Sequence, residues 1–239
     1  MQLNYIRLFL PNVLIAKPIT MGWKKSINDY NLSFYNNLGI TSLRNFAKIG
    51  GFDTYTDLDL IFDQIKNAAS VLEIGAGYGR CIDYLLSRSY QGEIVAVEIC
   101  AAYHQYLLQH YGDKVNLLHR DIKKLSLQKS VAVALWMWSG IIDFSRKEQE
   151  QNILKIFQLL GKDGKLFIDV PKFGIQTIAE HQDDKHLYFD TQYGKLYCFM
   201  PDYKDMEKYA LTAGFEGITY FDYYTATGKE RTIYTLQKN

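Results

Sequence analysis

The chain has 239 residues, 48% of them hydrophobic, enough to fill the core of one domain with appendages and to exclude a disordered chain. Its 27 lysines and arginines against 26 aspartates and glutamates leave a formal charge of +1, which excludes the broad basic field behind most non-specific nucleic-acid affinity. The cysteines Cys81, Cys100 and Cys198 are odd in number and form no CxxC pair. They argue against a disulfide scaffold or a zinc knuckle and fit a reducing compartment, so a cytoplasmic location is expected.

In chain order, an apolar run from Ile6 to Ala16 is broken by Pro11 and Asn12. It is too short to span a membrane, and a lone Arg7 with no small-residue cleavage site makes it a poor signal peptide. Helical patterns over Ile27–Leu38 and Leu58–Asn67 flank the Gly50-Gly51 pair, so residues 1–67 are expected to form a cap. From about residue 70, short apolar runs alternate with helical stretches. Strands are expected at VLEIGA (71–76), EIVAVEI (93–99), KVNLLHRDI (114–122), VAVALWMW (131–138) and GKLFIDV (164–170). Helices are expected over 80–89, 101–111 and 146–160. Continuous apolar strands separated by helices predict a parallel, doubly wound α/β sheet covered on both faces.

The rhythm then changes. Lys185 to Met200 alternates around Tyr193-Gly194 as a hairpin, within an insertion over 172–200. Asp202 to Ala213 reads as a helix stopped by Gly214, and GITYFDYYT and ERTIYTLQ follow as antiparallel strands around Gly228. No internal repeat or low-complexity segment interrupts the chain.

Ligands of open α/β sheets sit at the carboxyl ends of the strands, where the strand order reverses. The loop Gly75-Ala76-Gly77-Tyr78-Gly79 is expected at such an end, with Gly75 for the turn, Gly77 for close backbone approach and Gly79 for the start of the next helix. Arg80 stands where the dinucleotide fingerprint needs glycine, and the P-loop GKS or GKT is missing. Glu73 would repel a pyrophosphate but favours an ammonium. Glu98, ending the second strand, can accept hydrogen bonds from both ribose hydroxyls, and Asp121, ending the third, can accept one from the exocyclic amine of adenine. Asp121 can equally cap a helix. Ile99 and Ile122 can sandwich the base. Together they describe an adenosine with a cationic amino-acid tail and no phosphates, which is S-adenosylmethionine.

On these residues the chain resembles the class I S-adenosylmethionine-dependent methyltransferases. The likeness runs through VLEIGAGYGR, Glu98, Asp121, VALWMWSG, LLGKDGKLFIDVP and ALTAGFEGI, over roughly residues 68–239. The resemblance implies a seven-stranded, mostly parallel sheet with an antiparallel last strand. It implies S-adenosyl-L-methionine as cofactor and S-adenosyl-L-homocysteine as product. The cofactor is expected to meet Glu73, Gly75, Ala76, Gly77, Tyr78, Gly79, Glu98, Ile99, Asp121, Ile122 and Trp136.

The segment after the fourth strand, Trp138 to Asp143, usually abuts the acceptor in this family. Here it lacks the [DN]PP[YF] signature of enzymes acting on adenine or glutamine amides and is similar to the glycine/sarcosine kind of small-molecule N-methyltransferase. Asp143 can orient an amine or act as base, against a reading as a surface or capping acid. His181 and His186 are further candidate bases. Trp138, Tyr30, Tyr55, Tyr188 and Tyr197 are candidate acceptor contacts. Tyr30, Tyr35 and Tyr55, or Tyr78 and Arg80, are candidates for the cofactor's carboxylate. Methyl transfer from a sulfonium requires no metal, and a set of both histidines with Asp183 or Asp184 has no recognised spacing. The expectation is thus a methyltransferase acting on nitrogen or oxygen of a small molecule, as a monomer or homodimer, with nucleic acid an unlikely partner. A protein or RNA methyltransferase, a non-catalytic cofactor-binding module and an NAD-dependent oxidoreductase are the competing readings.

Overall fold

The computed structural model describes residues 27–172, 180–181 and 185–239, the side chains of Ile27, Asn28, Glu180 and His181 excepted. The apolar run from Ile6 to Ala16 therefore lies outside the described residues. Alternation within the apolar strands sends successive side chains to opposite faces of one sheet. Along β1 (Ser70–Ile74) and β4 (Val131–Trp136), Leu72, Ile74, Ala134 and Trp136 join one core, whereas Val71, Val133 and Leu135 join the other. Helix α6 (Arg146–Leu159) and helix α7 (Tyr203–Ala213) cover the first face through Ile153, Ile156, Met206 and Tyr209. Helix α4 (Arg80–Ser87) and helix α5 (Ala101–Tyr111) cover the second through Ile82, Leu85 and Leu107.

The remaining strands of this sheet are β2 (Glu93–Glu98), β3 (Asn116–His119), β5 (Leu160–Pro171), β9 (Gly217–Tyr224) and β10 (Glu230–Gln237). They make a seven-stranded sheet in the order β3-β2-β1-β4-β5-β10-β9, parallel from β3 to β5, with β10 antiparallel to both neighbours. The order reverses between β1 and β4, so the crevice at their carboxyl ends is the place for a ligand. A second, three-stranded antiparallel sheet joins β6 (Glu180–His181), β7 (His186–Thr191) and β8 (Gly194–Phe199). The insertion is thus a small sheet, one strand more than the expected hairpin.

Helix α1 (Ile27–Gly50) lies over the carboxyl ends of the strands. Phe34, Leu38, Leu43, Phe46 and Ala47 pack with Phe52, Tyr78, Cys100 and Tyr103 in a third core. Asn31 clips this helix to the small sheet, donating to the Tyr197 carbonyl at 2.6 Å and accepting from the Tyr197 N–H at 2.9 Å. The expected stretch Ile27–Leu38 ends at Gly39, whose non-helical φ 71, ψ 157 divides α1 into two helical segments, the second running on to Gly50. In place of one helix over 58–67 there are two single turns, α2 (Thr56–Asp59) and α3 (Phe62–Ile65), separated by Leu60 and Ile61. The third strand stops at His119, where Asp121 caps a short 3-10 turn at Ile122–Lys124. The fourth stops at Trp136, because Trp138 (φ 48) and Ser139 (φ 68) turn the chain away.

Candidate active site

The loop between β1 and α4 holds its course through backbone geometry. Gly75 has φ 71, and a Cβ there would meet no atom within 4 Å, so the loop presents bare backbone to open space. The Gly77 N–H donates to Glu98 Oε2 at 2.8 Å, and the Cys100 N–H donates to Glu98 Oε1 at 2.7 Å. A single carboxylate at the end of β2 thereby ties the glycine loop to the start of α5. Burial raises the Glu98 pKa, and the two N–H donors oppose that rise. Gly79 serves packing instead of the cavity: at φ 86 it caps α4, and a Cβ there would lie 2.6 Å from Tyr111 and 3.0 Å from Leu107. It is not among the lining residues.

A cavity of 780 Å³ opens in front of this loop. Glu73, Gly75, Ala76, Gly77, Tyr78, Glu98, Ile99, Asp121, Ile122 and Trp136 all line it. Glu73 is buried, with Oε2 lacking any hydrogen-bond partner. Burial in these surroundings pushes its pKa up to about 7, against the opposing influence of Cys81 and the Arg80 charge. Such an orphaned buried oxygen marks a place for a donor or a cation. Asp121 accepts from the Lys123 N–H at 2.9 Å as a capping acid and also lines the cavity.

Two buried ion pairs support the floor. Arg80 lines the cavity but is held bidentately by Asp57, at 2.8 and 2.6 Å, so it is a braced wall and not a free cation. Arg231 is held by Asp169, with Nε at 2.9 Å from Oδ1 and Nη2 at 2.8 Å from Oδ2, while Nη2 also donates to Ser139 Oγ at 2.6 Å. Asp169 further accepts from the Trp138 N–H at 3.0 Å and the Tyr223 hydroxyl at 2.9 Å. These bonds converge on Trp138 and Ser139, two successive non-glycine residues in the left-handed region, and so hold a strained turn in place. Trp138 consequently faces the cavity, its ring 5.2 Å from Phe52 and 6.4 Å from Tyr78. The sequence reading missed Asp169 and Arg231. The signal available was an acid at the carboxyl end of an otherwise apolar strand, LFIDV.

At the far end, Asp143 lies on the turn Gly140–Asp143 and lines the cavity, which corrects its reading as a surface or capping acid. The Tyr35 hydroxyl donates to Asp143 Oδ2 at 2.8 Å, and Asn31 Nδ2 lies 3.4 Å from Oδ1. Desolvation raises the Asp143 pKa to about 7, with the bonds from Tyr35 and Asn31 opposing it. Tyr35 itself is pushed well above its usual value by burial and by the Asp143 charge.

Other candidates lie elsewhere. Tyr55 packs on Tyr84 at 5.5 Å, away from the cavity. Tyr197 stacks between Tyr30, at 5.1 Å, and Tyr188, at 4.9 Å, and none of the three lines the cavity. His186 packs against Phe199 and is likewise outside the lining. The alternation of β7 and β8 explains this: Leu187, Phe189, Leu196 and Cys198 line the cavity, which turns Tyr188 and Tyr197 to the other face. The His181 side chain, Asp183 and Asp184 lie outside the described residues. Among the described residues, no group of three or more His, Cys, Asp or Glu is placed to hold a metal ion, and no helix is long and apolar enough to cross a membrane.

The family model for a methyltransferase domain matches residues 71–164. No curated protein matches by sequence. Among solved structures, the 1,6-didemethyltoxoflavin-N1-methyltransferase of Burkholderia thailandensis, with bound 1,6-didemethyltoxoflavin and S-adenosylhomocysteine, is 16% identical at a TM-score of 0.66. The match covers 94% of this chain and 93% of that one. The magnesium protoporphyrin IX methyltransferase of Synechocystis PCC 6803, with bound S-adenosylmethionine, is 12% identical at a TM-score of 0.65, over 92% of this chain and 100% of that one. An amino pentose methyltransferase from Micromonospora echinaspora, also bound to S-adenosylmethionine, is 12% identical at 0.61, over 79% and 91%. At these identities the likeness is one of fold.

Proposed function

We propose that the chain is a class I S-adenosylmethionine-dependent methyltransferase that transfers a methyl group to a nitrogen or oxygen of a small-molecule acceptor, a reading supported by the methyltransferase-domain match over residues 71–164 and by the likeness of fold. The observation that supports this reading is a continuous cavity, polar at the glycine loop and apolar beneath α1 and the small sheet. Its 780 Å³ suits a cofactor and a small acceptor together. The solved relatives named above include enzymes acting on small molecules. In this reading, residues 1–67 and the 172–200 insertion form the cap of a domain spanning 68–239. Free, buried Cys81, Cys100 and Cys198 favour a reducing, cytoplasmic setting.

S-adenosylmethionine, the cofactor, fits the residues present. The orphaned Oε2 of Glu73 suits its ammonium, and the bare backbone at Gly75 leaves room beside it. Glu98 already accepts one N–H at each oxygen and retains lone pairs for the ribose hydroxyls. Asp121, Ile99 and Ile122 serve the adenine. When bound, the cofactor supplies a methyl on a cationic sulfur leaving group, so the protein's part is alignment and exclusion of water. Trp138 and Tyr78 offer aromatic rings tolerant of positive charge at the junction of the two halves.

Calorimetry is expected to give micromolar affinity for S-adenosylmethionine or S-adenosylhomocysteine, and a library of amines, hydroxy acids and phenols is expected to contain a member that releases S-adenosylhomocysteine. No heat or thermal shift with either ligand, while NAD produces one, would overturn the reading. Glu98→Ala is expected to weaken S-adenosylhomocysteine binding by about 1–3 kcal/mol, because it removes the acceptor of the ribose and releases the Gly77 and Cys100 N–H groups. An unchanged affinity would remove Glu98 from the site.

A further inference from the structure

The acceptor end of the cavity is built around one carboxylate. Ile142, Leu187, Phe189, Leu196, Cys198 and Met200 form an apolar enclosure that continues into the cavity wall. Asp143 faces the same space and is hydrogen-bonded to Tyr35 and Asn31. Elsewhere in the wall, Arg80 is paired with Asp57, Arg231 with Asp169 and Lys172 with Asp222 and Glu230, while Arg120 and Lys229 line the cavity without forming an ion pair to Asp143. Among the described residues, Asp143 has no such cation. Its remaining ionisable neighbours are Tyr35, from α1, and Cys198, from the small sheet, and burial raises both pKa values far enough to keep them neutral.

A carboxylate in apolar surroundings needs either a counter-ion or a proton. Donors are not what this one lacks, because Tyr35 already supplies a hydroxyl and Asn31 an amide. What is missing is positive charge. An alcohol or phenol would bring a further donor and no charge, and a carboxylic acid would add repulsion.

We propose that the acceptor is a small apolar amine that enters as its ammonium ion, pairs with Asp143, and yields its proton to that carboxylate. The assignment rests on the methyltransferase reading above. The step balances within the pair: one N–H bond breaks, one O–H bond forms on Asp143, and an ammonium with a carboxylate becomes a neutral amine with a carboxylic acid. The nitrogen lone pair is thereby free for alkylation. An Asp143 pKa of about 7 lets the group be ionised on entry near neutral pH yet accept a proton afterwards. Tyr35 and Asn31 are positioning residues that orient the carboxylate.

The test uses the full chain saturated with S-adenosylhomocysteine and three ligands of one apolar body: phenethylamine, phenethyl alcohol and phenylacetate. The amine is expected to bind at least about tenfold more tightly than either of the others, read by calorimetry and by thermal shift. Asp143→Asn, isosteric and uncharged, is expected to abolish that preference while S-adenosylhomocysteine still binds. Tyr35→Phe removes a bond that favours the ionised carboxylate, so the pH of half-maximal amine binding is expected to rise while the preference persists. Equal or absent binding across the three ligands, or an amine preference surviving in Asp143→Asn, would overturn the proposal. Failure to bind S-adenosylhomocysteine at all would instead strike the underlying function.

Discussion

Glu73→Gln is expected to deprive the protein of its cofactor while making the fold more stable above pH 7. The carboxyl is buried, one oxygen is orphaned, and its folded-state pKa lies at about 7 against 4.5 for the free group. Between those two values the folded chain binds more protons than the unfolded one, so stability falls as pH rises through that window. The penalty is complete above about pH 7 and absent below about pH 4. Glutamine removes the ionisation and with it about 1–3 kcal/mol of that penalty at pH 8, where the full shift corresponds to about 3 kcal/mol. It also removes the counter-charge for the ligand's ammonium, and affinity is expected to drop about 100-fold. Urea unfolding at pH 8 and at pH 4, alongside calorimetry with S-adenosylhomocysteine, reads both effects. A variant less stable than the parent at pH 8, or one with undiminished affinity, would show that Glu73 is neither strained nor at the ammonium. For the parent protein, affinity is expected to rise with pH up to about 7 and then level off, since a cation binds the ionised form.

Arg231→Met is expected to be the most damaging single change to the fold, lowering stability by about 3–5 kcal/mol. Asp169 is fully buried and would be left with no guanidinium beside it. Ser139 would also lose its Oγ contact, and with it part of what holds Trp138 and Ser139 at positive φ. The turn at 138–143 carries both Trp138 and Asp143, so a weaker response to acceptor is expected even where folded protein remains. Adding Asp169→Leu removes the unpartnered buried carboxyl and is expected to restore part of the stability. The recovery is incomplete because the Trp138 N–H and the Tyr223 hydroxyl lose their acceptor. Urea denaturation of the two variants checks this; a single-variant loss under about 1 kcal/mol would show that the pair contributes little.

The two halves of the cavity were unequally legible in the sequence. The cofactor half could be read because each of its residues stands at the carboxyl end of a parallel strand, or just beyond it. Strand periodicity and the reversal of strand order suffice to gather Glu73, Gly75, Glu98 and Asp121 into one crevice. Gly79 starts the next helix as expected and lies against Tyr111 and Leu107, and such a packing glycine looks in one dimension like one that admits a ligand.

The acceptor half depends on contacts that local pattern does not encode. Tyr35 meets Asp143 across 108 positions, and Asn31 reaches Tyr197 across 166. Tyr188 and Tyr197 are the acceptor contacts expected from this insertion, but strand pairing decided which face turned inward, and it turned Leu187, Phe189, Leu196 and Cys198 to the cavity. The sequence by itself therefore determined the sheet, its chain order and the cofactor crevice, since these follow from periodicity and from glycines and acids at strand ends. Only the tertiary structure decided that Asp143 is an enclosed carboxylate and that Asp169 with Arg231 brace the turn beside it. Burial and the absence of a counter-ion belong to the packed chain, where distant segments set the dielectric around a side chain.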